Sequence, residues 1–180
     1  MRAGSSTGLG DLGTANAGAV TSLVATVGES DYYVQVRAAN AYGESAGNEI
    51  LLLVGGTASR WIGLSPDGMT VTSNPQQQCP GEYDVQLDLV SRGAKVTGTA
   101  TTRLRKTIGA VCGDVLGEIA SWPVINGRLG PGTISFDFGN IGSHRFSGTL
   151  TATRMTGTFV ITQTVPRPTT QTGSFGVNRQ

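Results

Sequence analysis

The feature that most constrains the fold is an alternation of apolar and polar residues with a period of two, repeated in short runs along the chain. In one run Val85, Leu87 and Leu89 alternate with polar residues, as one face of a half-buried β-strand requires. Glycine, at 27 of 180 residues, supplies tight turns between the runs. No segment shows the periodicity of an amphipathic helix. The sequence therefore predicts an all-β protein.

The first clear strand pair spans residues 32–54. An alternating strand begins at Tyr32, and a turn leads into a second strand that ends in the apolar run to Val54. A weaker strand is predicted at Ala19–Val27. The strand pair resembles the last two strands of a fibronectin type III module. This resemblance places Tyr32 at the tyrosine corner, where the hydroxyl caps a backbone turn.

The length before this pair limits how much of such a module is present. A fibronectin-like sandwich needs roughly seven strands and 100 residues. Only 31 residues precede Tyr32. We therefore expect residues 1–55 to be a partial module that lacks its first strands.

A short hinge follows at Gly55–Ser59 and divides the chain into residues 1–55 and residues 56–180. Nine strand-like runs separated by turn clusters lie beyond it: Arg60–Leu64, Met69–Thr72, Tyr83–Val90, Val96–Arg105, Gly117–Ile125, Thr133–Phe138, Arg145–Ala152, Met155–Thr162 and Ser174–Arg179. Antiparallel strands with short connections favour a closed eight-stranded barrel, because closure removes the exposed edges of an open sheet.

The alternation also indicates which residues face the interior of the barrel. Phe136 and Phe138 share the inner face with several small residues: Gly98, Ala100, Gly148 and Gly157. Small inward residues leave volume for a cavity, or they allow the sheet to coil.

Motifs at both ends of this region resemble those of the small bacterial calycins, which are lipocalin-like barrels. They are Trp61-Ile62-Gly63 at the start, repeated Gly-Thr strand motifs in the middle, and Gly173-Ser174-Phe175 followed by Arg179 at the end. The resemblance implies that Trp61 and Arg179 pack together and close one end of the barrel.

These features predict that the barrel binds one small apolar or amphipathic molecule, as barrels of about eight strands can. The expected lining residues are Leu87, Phe136, Phe138, Leu150, Met155 and Phe159. One alternative is a hydrolase of activated esters or phosphotriesters that acts at the barrel mouth, and only this alternative calls for a divalent metal. Another is a purely structural spacer.

His144, the one histidine, follows a tight turn, with Asp137 on the preceding strand. An Asp137–His144 pair would act as a general base in the hydrolase alternative, because imidazole titrates near neutrality and a carboxylate orients it. The competing interpretation is a solvated loop histidine.

Three acidic residues, Glu82, Asp84 and Asp88, lie on one side of one strand. Carboxylates at this spacing can share a divalent cation. They can equally form cross-strand ion pairs on the barrel exterior. If residues 91–94 form the turn to the next strand, Glu82 lies opposite Arg103, and Arg105 is a further partner.

The two cysteines, Cys79 and Cys112, lack metal-ligand spacing. In an exported protein they would form one disulfide closing a loop of about 30 residues, which stabilises the fold by roughly 3–4 kcal/mol. We expect the disulfide, because fibronectin-like modules in bacteria usually belong to exported proteins.

The formal net charge is +1, with two basic and five acidic residues in residues 1–55 and 11 basic and seven acidic residues beyond them. Nucleic acid is not predicted as a partner, because a phosphate-binding surface needs a clustered basic stripe. The longest apolar run, Ile50–Val54, is too short for a membrane span.

The partial module also predicts self-association. Strand faces that carry Leu23, Val34, Val36 and Ile50 lack the strands that would cover them in a complete module. We expect residues 1–55 of two chains to pair in a homodimer, which joins unpaired strand edges across a two-fold axis.

Overall fold

A computed structural model describes residues 1–16, 18, 24–72, 81–107, 116–140, 142–163 and 169–180. These residues divide into two compact units, Met1–Gly56 and Thr57–Gln180. All regular structure in the described residues is β-strand, which confirms the predicted fold class.

The first unit is a four-stranded antiparallel sheet with the order β2-β1-β3-β4. Its strands are β1 (Arg2–Gly4), β2 (Gly13–Thr14), β3 (Asp31–Asn40) and β4 (Gly43–Leu53). The β3–β4 hairpin is the predicted strand pair. Of the weaker strand predicted at Ala19–Val27, residues 19–23 lie outside the described set, and residues 24–27 form no strand.

Tyr32 has the local role that the sequence implied. Its hydroxyl donates a hydrogen bond of 3.0 Å to the carbonyl oxygen of Gly28, just upstream on the chain. This contact ties the segment before β3 to the start of the strand, as a tyrosine corner does.

The second unit is a closed antiparallel barrel of eight strands. Its elements are β5 (Thr57–Gly63), β6 (Met69–Thr72), β7 (Gly81–Arg92), β8 (Lys95–Thr107), β9 (Ile119–Gly130), β10 (Thr133–Asn140), β11 (Gly142–Leu150), β12 (Arg154–Gln163) and β13 (Thr169–Arg179). Each strand-like run predicted beyond residue 60 overlaps one of these elements.

The first barrel strand is broken into two pieces. Both β5 and β6 pair with β7 on one side and with β13 on the other, so together they fill one position in the barrel. The remaining neighbours, including β12 and β13, follow chain order, so the pairing of β13 with β5 and β6 closes the circle.

Aromatic rings fill the middle of the barrel. The Phe146 ring centroid lies 5.0 Å from that of Phe136, 4.1 Å from Phe138 and 5.1 Å from Phe159, and the ring of Phe175 meets Phe146 edge-on at 5.6 Å. The separations of Phe146 from Phe136, Phe159 and Phe175 lie within the range of about 4.5–7 Å that aromatic pairs favour, and Phe138 is closer still. The centre of the barrel is thus a packed core.

The inward glycines do not leave a cavity. They allow the sheet to coil, which was the second of the two interpretations of these residues. Gly148 and Gly157 lie directly opposite each other on β11 and β12. A β-carbon at Gly148 would collide with the carbonyl oxygen of Thr156 and with the Gly157 backbone. These glycines allow neighbouring strands to approach closely and coil.

Candidate functional site

The barrel has a cleft at the end that carries the β7–β8, β9–β10 and β11–β12 turns. Its volume is about 130 Å³. The lining residues come from all eight barrel strands and the turn 151–153: Thr57, Ser59, Trp61, Leu89, Ser91, Val96, Leu129, Ile134, Leu150, Thr151, Met155 and Arg179.

The cleft combines an apolar wall with a polar rim. Leu89, Val96, Ile134 and Met155 are buried and belong to the hydrophobic core, whereas Arg179 is exposed at the end of β13. The rim also carries hydroxyl groups from the lining Ser and Thr residues. A ligand with an apolar group and a hydrogen-bonding or anionic group would match this arrangement.

Trp61 and Arg179 meet at the edge of the cleft. They are directly opposite in the β5–β13 pairing, and the guanidinium carbon of Arg179 lies 5.7 Å from the ring centroid of Trp61. The indole nitrogen of Trp61 donates a hydrogen bond of 3.0 Å to the Ser59 hydroxyl. The expected contact is therefore present, but it borders an open cleft and does not seal the barrel end.

The residues predicted to line a ligand site fall into two groups, those at the cleft and those in the packed core. Leu150 and Met155 line the cleft. The other predicted residues are no more than 3 % exposed and belong to the packed core: Leu87, Phe136, Phe138 and Phe159. The alternation correctly placed them inside the barrel, but it carries no information on whether an inward side chain meets a neighbour or empty space.

Sequence reasoning missed most of the cleft. Leu89, Val96, Leu129 and Ile134 flank the turns after β7 and β9. The available signal was their position, because every second turn of an antiparallel meander lies at the same end of the barrel. Arg179 was found through the calycin resemblance.

His144 lies at the opposite end of the barrel, near the start of β11. Its imidazole centroid is 5.3 Å from the Trp122 ring and 6.4 Å from the Phe138 ring. The Nδ1 atom is buried and has no hydrogen-bond partner among the described residues. Burial lowers the pKa of His144 below its ordinary value of 6.5, because desolvation disfavours the charged imidazolium.

The expected Asp137–His144 pair is not formed. Asp137 is opposite Arg145 in the β10–β11 pairing, whereas His144 is opposite Phe138. Adjacent residues of a strand point to opposite faces, so Asp137 and His144 lie on different faces of the barrel wall. Asp137 accepts a hydrogen bond of 2.9 Å from the Asn126 side-chain amide, and its other oxygen is 3.6 Å from Nε of Arg145.

The carboxylates of Glu82 and Asp84 accept hydrogen bonds from Ser65, which lies in the break between β5 and β6. The Ser65 hydroxyl donates to Glu82 at 2.9 Å, and the Ser65 backbone N–H donates to Asp84 at 2.9 Å. Glu82 also pairs with Lys106 at 3.3 Å, and Asp84 pairs with Arg105. Both acids therefore anchor Ser65 to β7.

Asp88 lies further along β7 and has different partners. Nε of Arg60 lies 2.6 Å from one of its oxygens, and the Gln86 amide donates to the other at 2.6 Å. The hydrogen bond from Arg60 is the main reason that the pKa of Asp88 is lowered. The structure thus does not bring Glu82, Asp84 and Asp88 together around one point.

The predicted partner of Glu82 was wrong. The strands β7 and β8 continue to the pair Arg92–Lys95, so the turn is shorter than the assumed turn at residues 91–94. A bulge between Glu82 and Tyr83 shifts the register again. Glu82 consequently lies opposite Lys106, and Arg103 lies opposite Asp84.

No group of three or more His, Cys, Asp or Glu side chains in the described ranges is arranged to hold a metal ion. Cys79 and Cys112 lie outside the described residues, so their disulfide stays a prediction. Helices long and apolar enough to span a membrane do not occur in the described part of the chain.

These observations define an antiparallel eight-stranded barrel with a packed aromatic centre and a small cleft at one end. Comparisons with protein-family models, with curated proteins and with solved structures find no match for this chain.

Proposed function

We propose that the barrel binds a small molecule that combines a compact apolar group with an anionic group, in the cleft bordered by Trp61 and Arg179. The observation that carries this proposal is the composition of the cleft, where an apolar wall from the barrel core ends at a rim with one arginine and several hydroxyls.

The size of the cleft limits the apolar part of the ligand. Its volume of about 130 Å³ is close to the roughly 150 Å³ of an apolar cavity known to hold benzene. Pockets for drug-sized ligands usually measure about 300–1,000 Å³. A single ring or a short branched chain therefore fits, and a long acyl chain does not.

The charge at the rim favours an anion. Arg179 makes no side-chain ion pair with an Asp or Glu of the described residues, and its guanidinium lies over the face of Trp61. A guanidinium binds carboxylates and phosphates with paired donors. The rim hydroxyl of Ser59 accepts a hydrogen bond from Trp61, so its own O–H can donate to such an anion.

The family resemblances have some local support. The Tyr32–Gly28 hydrogen bond and the β3–β4 hairpin support a relation of residues 1–55 to fibronectin type III modules. The closed barrel and the Trp61–Arg179 contact support a calycin-type second unit. On this basis we assign the binding barrel to an exported protein. The hydrolase alternative gains no support, because Asp137 and His144 lie on different faces.

The experiment uses 4-fluorobenzoate as the probe, because its ring fits the cleft and its carboxylate can pair with Arg179. Binding is followed by fluorine NMR of the probe. We expect saturable binding to the unaltered protein and at least about tenfold weaker binding to the Arg179→Gln variant, since a charge-assisted pair is lost. The neutral analogue 4-fluorobenzamide should bind more weakly than the benzoate only when Arg179 is present.

The matched control is Arg145→Gln, which removes an exposed arginine from the outer face of β11. This variant should bind 4-fluorobenzoate like the unaltered protein. Absence of binding, or equal losses in the Arg179 and Arg145 variants, would show that the cleft is not the site.

A further inference from the structure

The end of the barrel opposite the cleft has a polar atom that lies inside an aromatic cluster and has no partner among the described residues. Phe138 is buried, while Trp122 and His144 are each partly exposed at the barrel end. The Trp122 indole N–H is already used, because it donates to the buried hydroxyl of Thr102 at 3.3 Å. Only the Nδ1 atom of His144 is left buried without a hydrogen bond in the described residues.

Such an atom requires an explanation, because a buried polar group without a partner destabilises the folded state, and native structures contain few of them. The charged groups nearest in sequence do not supply a partner. Arg145 and Asp137 point to the outer face, where they pair with each other. The inward neighbours of His144 on the adjoining strands are Phe138 and Ile161, which carry no polar side-chain atom.

The chemistry around Nδ1 defines which group could be its hydrogen-bond partner. A neutral imidazole nitrogen either accepts or donates one hydrogen bond, and a hydroxyl group can satisfy both cases. The surrounding rings favour an aromatic molecule, which gains contact energy against Trp122 in offset or edge-on geometry. Burial keeps the imidazole neutral at pH 7, so no anion is called for.

We propose that this end of the barrel binds a small hydroxyaromatic molecule of the phenol class, whose hydroxyl pairs with Nδ1 of His144 and whose ring packs against Trp122. Because Nδ1 itself is buried, the ligand must displace part of the half-exposed His144–Trp122 pair to reach it. This site is separate from the cleft, because the phenylalanine core lies between the two ends of the barrel.

The test uses p-cresol and toluene, which have similar shapes and differ by the hydroxyl group. His144 is the only histidine, so its imidazole signals in NMR spectra report on this site without ambiguity. We expect p-cresol to shift these signals saturably, and toluene to bind at least about tenfold more weakly, because it leaves Nδ1 without a hydrogen bond. His144→Phe should remove the preference for p-cresol, measured by ligand-detected NMR.

Two controls separate this proposal from the first. Saturating 4-fluorobenzoate should leave the affinity for p-cresol unchanged, and competition between them would place p-cresol in the cleft and overturn the second site. Equal binding of p-cresol and toluene, or no shift of the His144 signals up to the solubility of p-cresol, would mean that water alone satisfies Nδ1. This comparison needs no variant, so it decides the matter even if His144→Phe fails to fold.

Discussion

The ring of Phe159 occupies the space that a β-carbon at Gly173 would fill. The two residues are directly opposite each other on β12 and β13. A β-carbon at Gly173 would collide with the end of the Phe159 ring and with the carbonyl oxygen of Thr70. The Phe159 ring therefore fits only because the residue opposite it has no side chain.

This match predicts the effect of Gly173→Ala. The methyl group must displace both a packed ring and a strand backbone, so we expect the free energy of unfolding to fall by about 1–3 kcal/mol in urea titrations. The control is Gly130→Ala, where the nearest atom is the Thr133 hydroxyl at the end of a side chain that can rotate. Equal losses in the two variants would contradict a specific role for the Phe159–Gly173 fit.

The Ser65 hydroxyl should govern the titration of Glu82. The pKa of Glu82 is lowered from its ordinary value of 4.5 first by the hydrogen bond from Ser65, and the hydrogen bond and the charge of Lys106 each contribute less. Ser65→Ala should therefore raise the Glu82 pKa more than Lys106→Gln does, as measured by NMR titration of the carboxyl carbon. A larger effect of Lys106→Gln would mean that the ion pair, and not the serine, fixes this carboxylate.

Stability should decrease on mild acidification because of His144. Its pKa is lower in the folded state than its ordinary value of 6.5, so the unfolded chain binds the proton more readily below that pH. The contribution of the neutral imidazole is complete above about pH 6.5 and is lost as the pH falls from there toward the folded-state pKa.

The measurement is the free energy of unfolding as a function of pH, from about pH 7.5 to about pH 5. His144→Phe should flatten the profile there, because the carboxylates with lowered pKa values, Glu82 and Asp88, lose their contributions only at more acidic pH. A profile that is unchanged by the substitution would show that another group titrates.

Cys79 and Cys112 are expected to form a disulfide. The chain segments that carry them continue from neighbouring strand ends, because Gly81 of β7 pairs with Thr107 of β8. Mass spectrometry after alkylation without reductant should find both thiols protected in freshly purified oxidised protein. Two alkylated cysteines would refute the bridge.

Self-association through residues 1–55 is expected to use the edge of the first sheet. Among the described strands β4 is an edge, and Ile50 and Leu52 on it are exposed. Long exposed edges favour pairing with another chain. Light scattering should show a dimer that Ile50→Lys converts to a monomer, whereas Tyr42→Lys, at the exposed hairpin turn, should not. A monomeric unaltered protein would rule out this dimer.

Some features of the site were already present in the local sequence pattern. The alternation places Asp137 outside between Phe136 and Phe138, and it places His144 inside on the same face as Phe146. The separation of Asp137 from His144 could therefore have been predicted from parity alone. Strand existence and side-chain face are local properties, and the period of two encodes both.

The sequence by itself determined the all-β class, the antiparallel barrel and the inward set of aromatic residues. Only the tertiary structure decided the register of β7 against β8, the break at Ser65 and the position of the cleft. Register depends on turn length and bulges, and a bulge at Glu82 is invisible to an alternation rule. Whether an inward residue such as Phe159 or Met155 meets a neighbour or an opening depends on packing between strands distant in sequence, which no local pattern records.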